Sequence, residues 1–146
     1  DAIEHRGPDG EGQFGLGEIG LAHRRLSIID LSPAGAHPMM TPCQRYVITY
    51  NGEIYNFKEL RVELQSLGVQ FKSNSDTEVL LHAYATWKED CLNKLNGMFA
   101  FAMWDKKYKE LILARDRFGI KPLYFSYLNG LFLFGSHNTF YRDNLL

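Results

Sequence analysis

One run of residues constrains the fold of this chain more than any other. The run MFAFAMWD, Met98 to Asp105, is apolar at both its odd and its even positions. A strand with this pattern must be covered on both faces, so we predict a central strand in a layered structure, although periodicity alone leaves a buried helix open. With 146 residues, 45% of them hydrophobic, the chain has the size of one domain and enough apolar material for its core.

Strand-like segments lie on both sides of the middle of the chain. They are a short strand at Ile19 to His23, RYVITY at Arg45 to Tyr50, ELILARD at Glu110 to Asp116, and LYFSYLNGLFLFGS at Leu123 to Ser136, the last a hairpin around Asn129-Gly130. Glycine and proline punctuate the first dozen residues, through Gly12, and the segment from Ser32 to Gln44, so we predict irregular structure in both.

Two helices with readable ends are predicted between these strands. The first follows Asn56 as its cap, with Glu59 completing a capping box, and ends at Gly68. The second opens on another box, SDTE, at Ser75 to Glu78. Their apolar stripes are Leu60, Leu64 and Leu67 in the first helix and Val79, Leu80, Ala83, Tyr84 and Trp87 in the second. The order of elements indicates an α+β fold with mostly antiparallel sheets.

Charge and cysteine content exclude several classes of function. A net charge of −1 gives no electrostatic reason to bind nucleic acid or an anionic membrane, and the longest apolar run is far too short to span a bilayer. Cys43 and Cys91 lie far apart without a CxxC pair, and the histidines show no metal-ligand spacing, so we predict no disulfide framework and no metal site. Ordinary packing is the better interpretation of both cysteines, and a cytoplasmic location fits them.

The sequence contains two Asn-Gly pairs with different surroundings. Asn129-Gly130 has strand-like residues on both sides, so a hairpin turn explains it fully. Asn51-Gly52 is followed so soon by the predicted cap at Asn56 that we expect a sharp turn from a strand into a helix. Such junctions lie at sheet ends, where amide groups can face a cleft. On these residues alone a structural turn remains the better interpretation.

Five motifs, in order, resemble the glutamine-hydrolysing domain of asparagine synthetases, in the class II, N-terminal-nucleophile amidotransferase family. They are HRGPDG (His5 to Gly10), AHRRLSIID (Ala22 to Asp30), NGEIYN (Asn51 to Asn56), SDTE (Ser75 to Glu78) and RDRFGIKPLY (Arg115 to Tyr124). The resemblance extends from His5 to about Ser136 and breaks from His137 onward. It implies an Ntn-hydrolase-like, four-layer αββα sandwich with two antiparallel sheets.

This resemblance assigns Asn51 and Gly52 to an oxyanion hole for glutamine hydrolysis. The donors would be the side-chain amide of Asn51 and the backbone N–H of Gly52, two neutral groups suited to a developing oxyanion. We therefore interpret the pair as both a turn and a site. The family nucleophile is an N-terminal cysteine whose own α-amine serves as general base, and neither Cys43 nor Cys91 matches it.

The resemblance also implies a clamp for the charged groups of a free amino acid. Arg25 would hold the α-carboxylate with its planar guanidinium, and backbone groups of Leu26 and Ile28 would add contacts. Glu53 and Asp76 would meet the α-ammonium. On residue type alone, Arg25 could be a solvated strand end, Glu53 an exposed side chain, and Asp76 an acid favoured by the helix dipole.

The remaining charged residues of the motifs receive no chemical role. They would brace loops around the nucleophile or face a partner domain, and the structural role is at least as well supported. These residues are Arg6, Asp9, Arg115, Asp116 and Lys121.

The chain begins at Asp1, just upstream of the first motif. We therefore expect an amidotransferase domain of residues 1–146 that is truncated at its N-terminus, lacks the family's first strand and nucleophile, and is inactive alone. No cofactor is expected in this domain, and ATP and Mg²⁺ are expected in an absent synthetase domain. The expected partners are glutamine and that synthetase domain, with a homodimer left open.

The favoured function is the glutaminase domain of an asparagine synthetase, which hydrolyses glutamine to supply ammonia for the ATP-dependent conversion of aspartate to asparagine. Two other functions stay open. One is a non-catalytic module that keeps the glutamine pocket and binds or scaffolds a partner. The other is an amidotransferase that serves a different acceptor, such as a sugar or a peptide.

Overall fold

A four-stranded antiparallel sheet lies at the centre of the fold. The structure, a computed structural model, describes residues 10–25 and 37–136. Its elements are β1 (Gly10–Leu16), β2 (Ile19–Arg25), β3 (Met39–Met40), β4 (Tyr46–Ile54), α1 (Phe57–Ser66), α2 (Asp76–Trp87), a 3₁₀ helix (Lys88–Asn93), β5 (Gly97–Asp105), β6 (Glu110–Arg115), β7 (Tyr124–Leu128) and β8 (Leu131–Gly135). The central sheet has the order β3-β4-β5-β6, and β1-β2 and β7-β8 form two separate hairpins.

β5 is the covered central strand that the sequence predicts. It pairs with β4 along its whole length and with β6 on its other side. Phe99, Phe101 and Met103 belong to the core under the helices, whereas Ala102 belongs to a second core on the opposite face. The period-2 alternation of a strand thus separates two cores, and the helical alternative is excluded.

The two helices cover one face of this sheet. α2 is buried from Asp76 to Tyr84, and α1 contributes Leu60 and Leu64 to the same core. Leu67 is 59% exposed because α1 ends one residue before it. The predicted apolar stripe of α1 is therefore wrong at its last position.

The two predicted capping boxes behave differently. Ser75 accepts a hydrogen bond from the Glu78 N–H at 3.2 Å, which confirms the start of α2. Asn56 precedes α1 but makes no side-chain capping bond. Its amide instead donates to the Lys94 carbonyl at 2.9 Å and accepts from the Asn96 N–H at 2.9 Å. The predicted cap position is confirmed, but the predicted side-chain capping bond is wrong because this amide ties the start of α1 to the loop before β5.

The two hairpins cover the opposite face of the central sheet. Leu21 packs there with Val47 and Ala102, and Phe14 and Phe134 border this second core. Helices, central sheet and hairpins account for three layers of the predicted αββα sandwich. No helix covers the outer side of the hairpins within residues 10–25 and 37–136.

β1 begins earlier than the loop prediction allows. Gly10 pairs with Arg25 and Gly12 pairs with His23, so the last three residues of the predicted loop are strand. Pairing in register with β2 overrides the high glycine content. In the described part of the second irregular segment, residues 37–44, only Met39–Met40 forms a strand, in agreement with its proline content.

The two Asn-Gly pairs have different structures. Asn129-Gly130 forms the turn between β7 and β8, with φ values of 52° and 80°, as predicted. Asn51-Gly52 lies inside β4, where it pairs with Ala100 and Phe99 of β5. The predicted turn is wrong because β4 continues to Ile54 before the chain enters α1.

Two kinds of feature are absent from the described residues. None of their helices is long and apolar enough to cross a membrane. No group of three or more acidic, histidine or cysteine side chains among them is arranged to hold a metal ion.

Candidate functional site

Among the described strands, none pairs with the outer edge of the second half of β4, which we call the open edge. β3 pairs only with Val47 and Ile48, and beyond them no described strand lies on that side of β4. N–H groups along an antiparallel strand point alternately to its two sides. The Ile54 N–H points away from β5, to Asp76, and the Gly52 N–H two residues earlier shares that direction. The edge therefore presents a backbone donor at Gly52.

Only glycine fits at this point of the edge. A Cβ atom placed on Gly52 would overlap the Met98 carbonyl oxygen and lie 2.7 Å from the Phe99 Cα. Because the interior is close-packed, a larger residue would push β4 away from β5. Glycine therefore keeps this donor in register with the central strand.

Asp76, the first residue of α2, is bound across the same edge. The residue is 5% exposed, and its Oδ2 accepts hydrogen bonds from the Tyr50 hydroxyl at 2.7 Å and the Ile54 N–H at 3.0 Å. The two donors lie on either side of the segment 51–53. Both contacts use the same oxygen, so Oδ1 is left for a further partner.

Two carboxylates act on the Tyr50 hydroxyl. Burial raises the pKa of Tyr50 far above its usual range, the charge of Asp76 raises it further, and Glu53 makes a smaller contribution. Glu53 itself lies three residues beyond Tyr50 in the same strand. Neither carboxylate forms an ion pair with a cation in the described part of the chain. This combination of negative charge and partial burial favours a cationic ligand.

Asn51 and Glu53 lie on the face of β4 opposite Tyr50, because side chains alternate along a strand. Both residues are half-buried. β2 crosses this face, with Thr49 Oγ1 lying 3.3 Å from His23 Nδ1. The structure therefore brings the predicted residues 51, 52, 53 and 76 to one edge of the sheet.

The residues predicted to bind the α-carboxylate of a free amino acid lie only partly within the described part of the chain. Arg25 ends β2, two residues after His23, so its backbone belongs to the strand that contacts β4. Leu26 and Ile28 lie outside the described residues. The roles of all three stay predictions.

Comparison with known proteins identifies the family. The family model described as a glutamine amidotransferase domain matches residues 1–144. The chain belongs to the glutamine amidotransferase family. This amidotransferase domain is similar in structure to glutamine phosphoribosylpyrophosphate amidotransferase from Bacillus subtilis, with a TM-score of 0.72 over 84% of this chain and 28% of that one. The two sequences are 22% identical, so the likeness shows the fold alone and confirms the Ntn-hydrolase prediction.

The curated relatives of this amidotransferase domain include glutamine-hydrolysing asparagine synthetases. Asparagine synthetase 3 of Bacillus subtilis is 46% identical over 93% of this chain and 22% of its own length. Asparagine synthetase 1 of the same organism is 49% identical over 92% of this chain and 21% of its own length. Asparagine synthetase 2 of Arabidopsis thaliana is 43% identical over 97% and 24%. The chain thus spans less than a quarter of the length of these relatives.

Sequence reasoning missed two residues beside the site of this amidotransferase domain. Tyr50 holds Asp76, and His37 stacks on Tyr50 with ring centroids 6.3 Å apart. His37 Nε2 also lies 3.1 Å from Thr77 Oγ1, and its ring stacks on His23 at 4.4 Å. Tyr50 and Asp76 are 26 positions apart in the chain, and His37 and Thr77 are 40 positions apart, so no local pattern in the sequence reveals these contacts.

Asp116 of the RDRFGIKPLY motif braces a loop, as one of its two interpretations predicts. Its carboxylate accepts hydrogen bonds from the N–H groups of Phe99, Ile120 and Lys121 at 3.2, 2.8 and 2.9 Å. Burial raises the pKa of Asp116, but these N–H groups together bring the pKa below its ordinary value. Phe99 pairs with Gly52, so the motif supports the β5 side of the site.

The two cysteines differ from each other. Cys91 is fully buried, as predicted, and burial raises the pKa of its thiol to about 12. Cys43 is exposed, so ordinary packing does not account for it, and a hydrogen bond with Thr41 lowers the pKa of its thiol. Cys43 lies before β4, whose first residue Tyr46 is about 20 Å from Gly52 at ~3.3 Å per strand residue. Neither thiol is placed to act at the open edge.

Proposed function

We propose that this amidotransferase domain is the glutaminase of an asparagine synthetase. It would hydrolyse glutamine to glutamate and ammonia for the ATP-dependent conversion of aspartate to asparagine. The similarity to asparagine synthetases of Bacillus subtilis and Arabidopsis thaliana supports this enzyme. The open edge of β4 carries the proposal, because the Gly52 N–H and the Asp76 carboxylate lie on the same side of one strand.

The spacing along this edge suits a free glutamine. Gly52 and Ile54 are two strand residues apart, which is about 7 Å at ~3.3 Å per residue. An extended glutamine places its α-nitrogen and its side-chain amide oxygen about 6 Å apart, given standard bond lengths. One end of the ligand can therefore meet Asp76 at Ile54 while the other meets the N–H of Gly52.

The donors at residues 51 and 52 would stabilise the charge that develops during hydrolysis. In the proposed reaction a thiolate attacks the side-chain amide carbon, and the amide oxygen becomes an oxyanion. The Gly52 N–H and the Asn51 side-chain amide donate to that oxygen. The C–N bond then breaks, and the nitrogen leaves as ammonia with the proton that the base took from the thiol. Water then hydrolyses the thioester to glutamate and frees the thiol. In this family the thiol and the base belong to an N-terminal cysteine and its α-amine.

The carboxylates would bind the α-ammonium of glutamine. Asp76 offers Oδ1, since its Oδ2 already accepts two hydrogen bonds, and Glu53 is the neighbour of Ile54, which donates one of them. A charged hydrogen bond of this kind contributes roughly 1.5–3 kcal/mol. For the α-carboxylate we propose Arg25, with backbone groups of Leu26 and Ile28, on the strength of the family resemblance.

The rest of the proposal concerns the larger protein. A synthetase domain is the proposed partner, and it would hold ATP and Mg²⁺ for the activation of aspartate. No step of glutamine hydrolysis passes through either of them. We further propose a cytoplasmic location, and a homodimer as the assembly.

Assays of the full-length protein test this function. We expect ammonia release from L-glutamine but not from D-glutamine, and asparagine formation that requires aspartate and ATP. Glutamine hydrolysis without asparagine formation would indicate a different acceptor. Glutamine binding without hydrolysis would indicate a non-catalytic module, and absence of binding would overturn the site itself.

A further inference from the structure

Tyr50 contacts the binding carboxylate from the core side of the sheet. We propose that Tyr50 is a positioning residue that orients Asp76 so that Oδ1 faces the α-ammonium of glutamine. The inference rests on the proposed function, in which Asp76 meets that ammonium. Tyr50 is not among the motif residues for which the family resemblance predicts a role in binding glutamine.

The orientation follows from the way the two donors share one oxygen. Asp76 Oδ2 accepts from the Tyr50 hydroxyl at 2.7 Å and from the Ile54 N–H at 3.0 Å. The second donor is fixed by the backbone of β4. With both donors on Oδ2, rotation of the carboxylate would break both hydrogen bonds, so Oδ1 keeps one direction. With the backbone donor alone, the carboxylate could turn about that single hydrogen bond, and its outer oxygen would no longer have a fixed direction.

The hydroxyl itself is held in place and stays a donor. Tyr50 is 5% exposed and belongs to the core under the helices. Its pKa is raised far above the usual range by burial and by Asp76, so the phenol remains protonated wherever the enzyme is assayed. The ring of His37 stacks on the ring of Tyr50, and His37 also contacts Thr77, the neighbour of Asp76. The tyrosine ring and the start of α2 are thereby joined.

The test uses Tyr50→Phe, which removes only the hydroxyl. Tyr46→Phe is the matched control, since Tyr46 is also buried in β4 and its hydroxyl contacts Lys88 instead of the site. We expect Tyr50→Phe to raise the KM for glutamine about 3- to 10-fold, as for loss of one hydrogen bond, with kcat nearly unchanged. Tyr46→Phe should leave both constants unchanged. Thermal unfolding of both variants checks that each is folded.

A second measurement separates positioning from general damage to the pocket. 4-Carbamoylbutanoate is glutamine without its α-amino group, and it is assayed as a competitor of glutamine hydrolysis. If Tyr50 acts through Asp76 on the ammonium, Tyr50→Phe should leave the inhibition constant of this analogue unchanged while the KM for glutamine rises. An equal loss of affinity for both ligands would overturn the positioning role and indicate a merely structural one.

Asp76→Asn distinguishes failure of this inference from failure of the function on which it rests. If Asp76→Asn raises the KM for glutamine and Tyr50→Phe does not, the role of Tyr50 is wrong and that of Asp76 stands. If Asp76→Asn leaves the KM unchanged, the ammonium site itself is wrong, and the role of Tyr50 falls with it.

Discussion

The two Asn-Gly pairs share a dipeptide and differ in almost everything else. Asn129-Gly130 turns the chain between β7 and β8, with positive φ at both residues. Asn51-Gly52 is extended, pairs with β5, and lies beside a carboxylate supplied by α2. The first structure follows from the local preference of the dipeptide for a hairpin turn. The second depends on segments that lie more than twenty residues away in the sequence, and the same segments make it a candidate site.

The largest expected difference concerns catalysis. Asn51→Ala should lower the kcat of glutamine hydrolysis about 100-fold or more, because loss of one oxyanion donor costs roughly 3–4 kcal/mol of barrier. The matched Asn129→Ala should leave kcat unchanged. Steady-state kinetics with glutamine provides the measurement. A rise in KM alone for Asn51→Ala would remove that residue from the oxyanion hole.

The next difference concerns stability. Gly52→Ala should destabilise the fold by about 3 kcal/mol, since its methyl group would overlap the backbone of β5. Gly130→Ala meets nothing within 4 Å and is strained only by its positive φ of 80°, so it should cost about 1 kcal/mol. Urea unfolding of both variants gives the two free energies. Equal losses would show that the close contact between β4 and β5 is relieved by movement.

A smaller effect is expected at Asp76, the carboxylate beside Asn51-Gly52. Asp76→Asn should raise the KM for glutamine about tenfold, the equivalent of ~1.4 kcal/mol, through loss of one charged hydrogen bond. Synthesis driven by ammonia should be unaffected, because it bypasses the glutamine site. Loss of both activities together would instead indicate that Asp76 mainly supports the fold.

The last effect lies at the opposite end of β4 and appears only at acid pH, where a charged pair stabilises the fold. The Arg45 guanidinium bonds Asp105 and lowers the pKa of that carboxyl from 3.8 to about 2. Because the folded pKa is depressed, the pair stabilises the fold above pH 3.8, and this contribution is lost as the pH falls towards 2. Thermal unfolding across this window should show less loss in Asp105→Asn than in the parent.

A surface pair provides the control for that measurement. Glu63 and Lys94 form an ion pair whose side chains are 45% and 38% exposed. Solvent screens such a pair, so Glu63→Gln should unfold with the same pH dependence as the parent. A flattened profile in this variant would mean that the acid sensitivity belongs to the whole surface charge and not to Asp105.

Local signals in the sequence account for much of the fold. The apolar run of β5, the capping box of α2 and the turn at Asn129-Gly130 each reflect a preference contained within a few neighbouring residues. The predictions of a turn at Asn51-Gly52 and of a side-chain capping bond from Asn56 are wrong for a common reason. Both residues form their decisive contacts with residues 94–100, which no short pattern around them encodes.

The candidate site was also predictable from the sequence only in part. The family motifs single out Asn51, Gly52, Glu53 and Asp76, which the structure brings to one edge. Tyr50 is adjacent to the motif, yet its hydroxyl meets a residue 26 positions later in the chain. A buried tyrosine in a strand is normally a packing residue, so only the folded structure reveals its contact with a carboxylate.

The shortness of β3 has a consequence for self-association. β3 begins only at Met39, opposite Ile48, so β4 is bare from there to its end among the described strands. Bare strand edges recruit other extended chains and are a common starting point for aggregation. Among the described strands, the edge at which we propose that glutamine binds is thus also the place where a second extended chain would pair, and a bound ligand would shield the sheet from it.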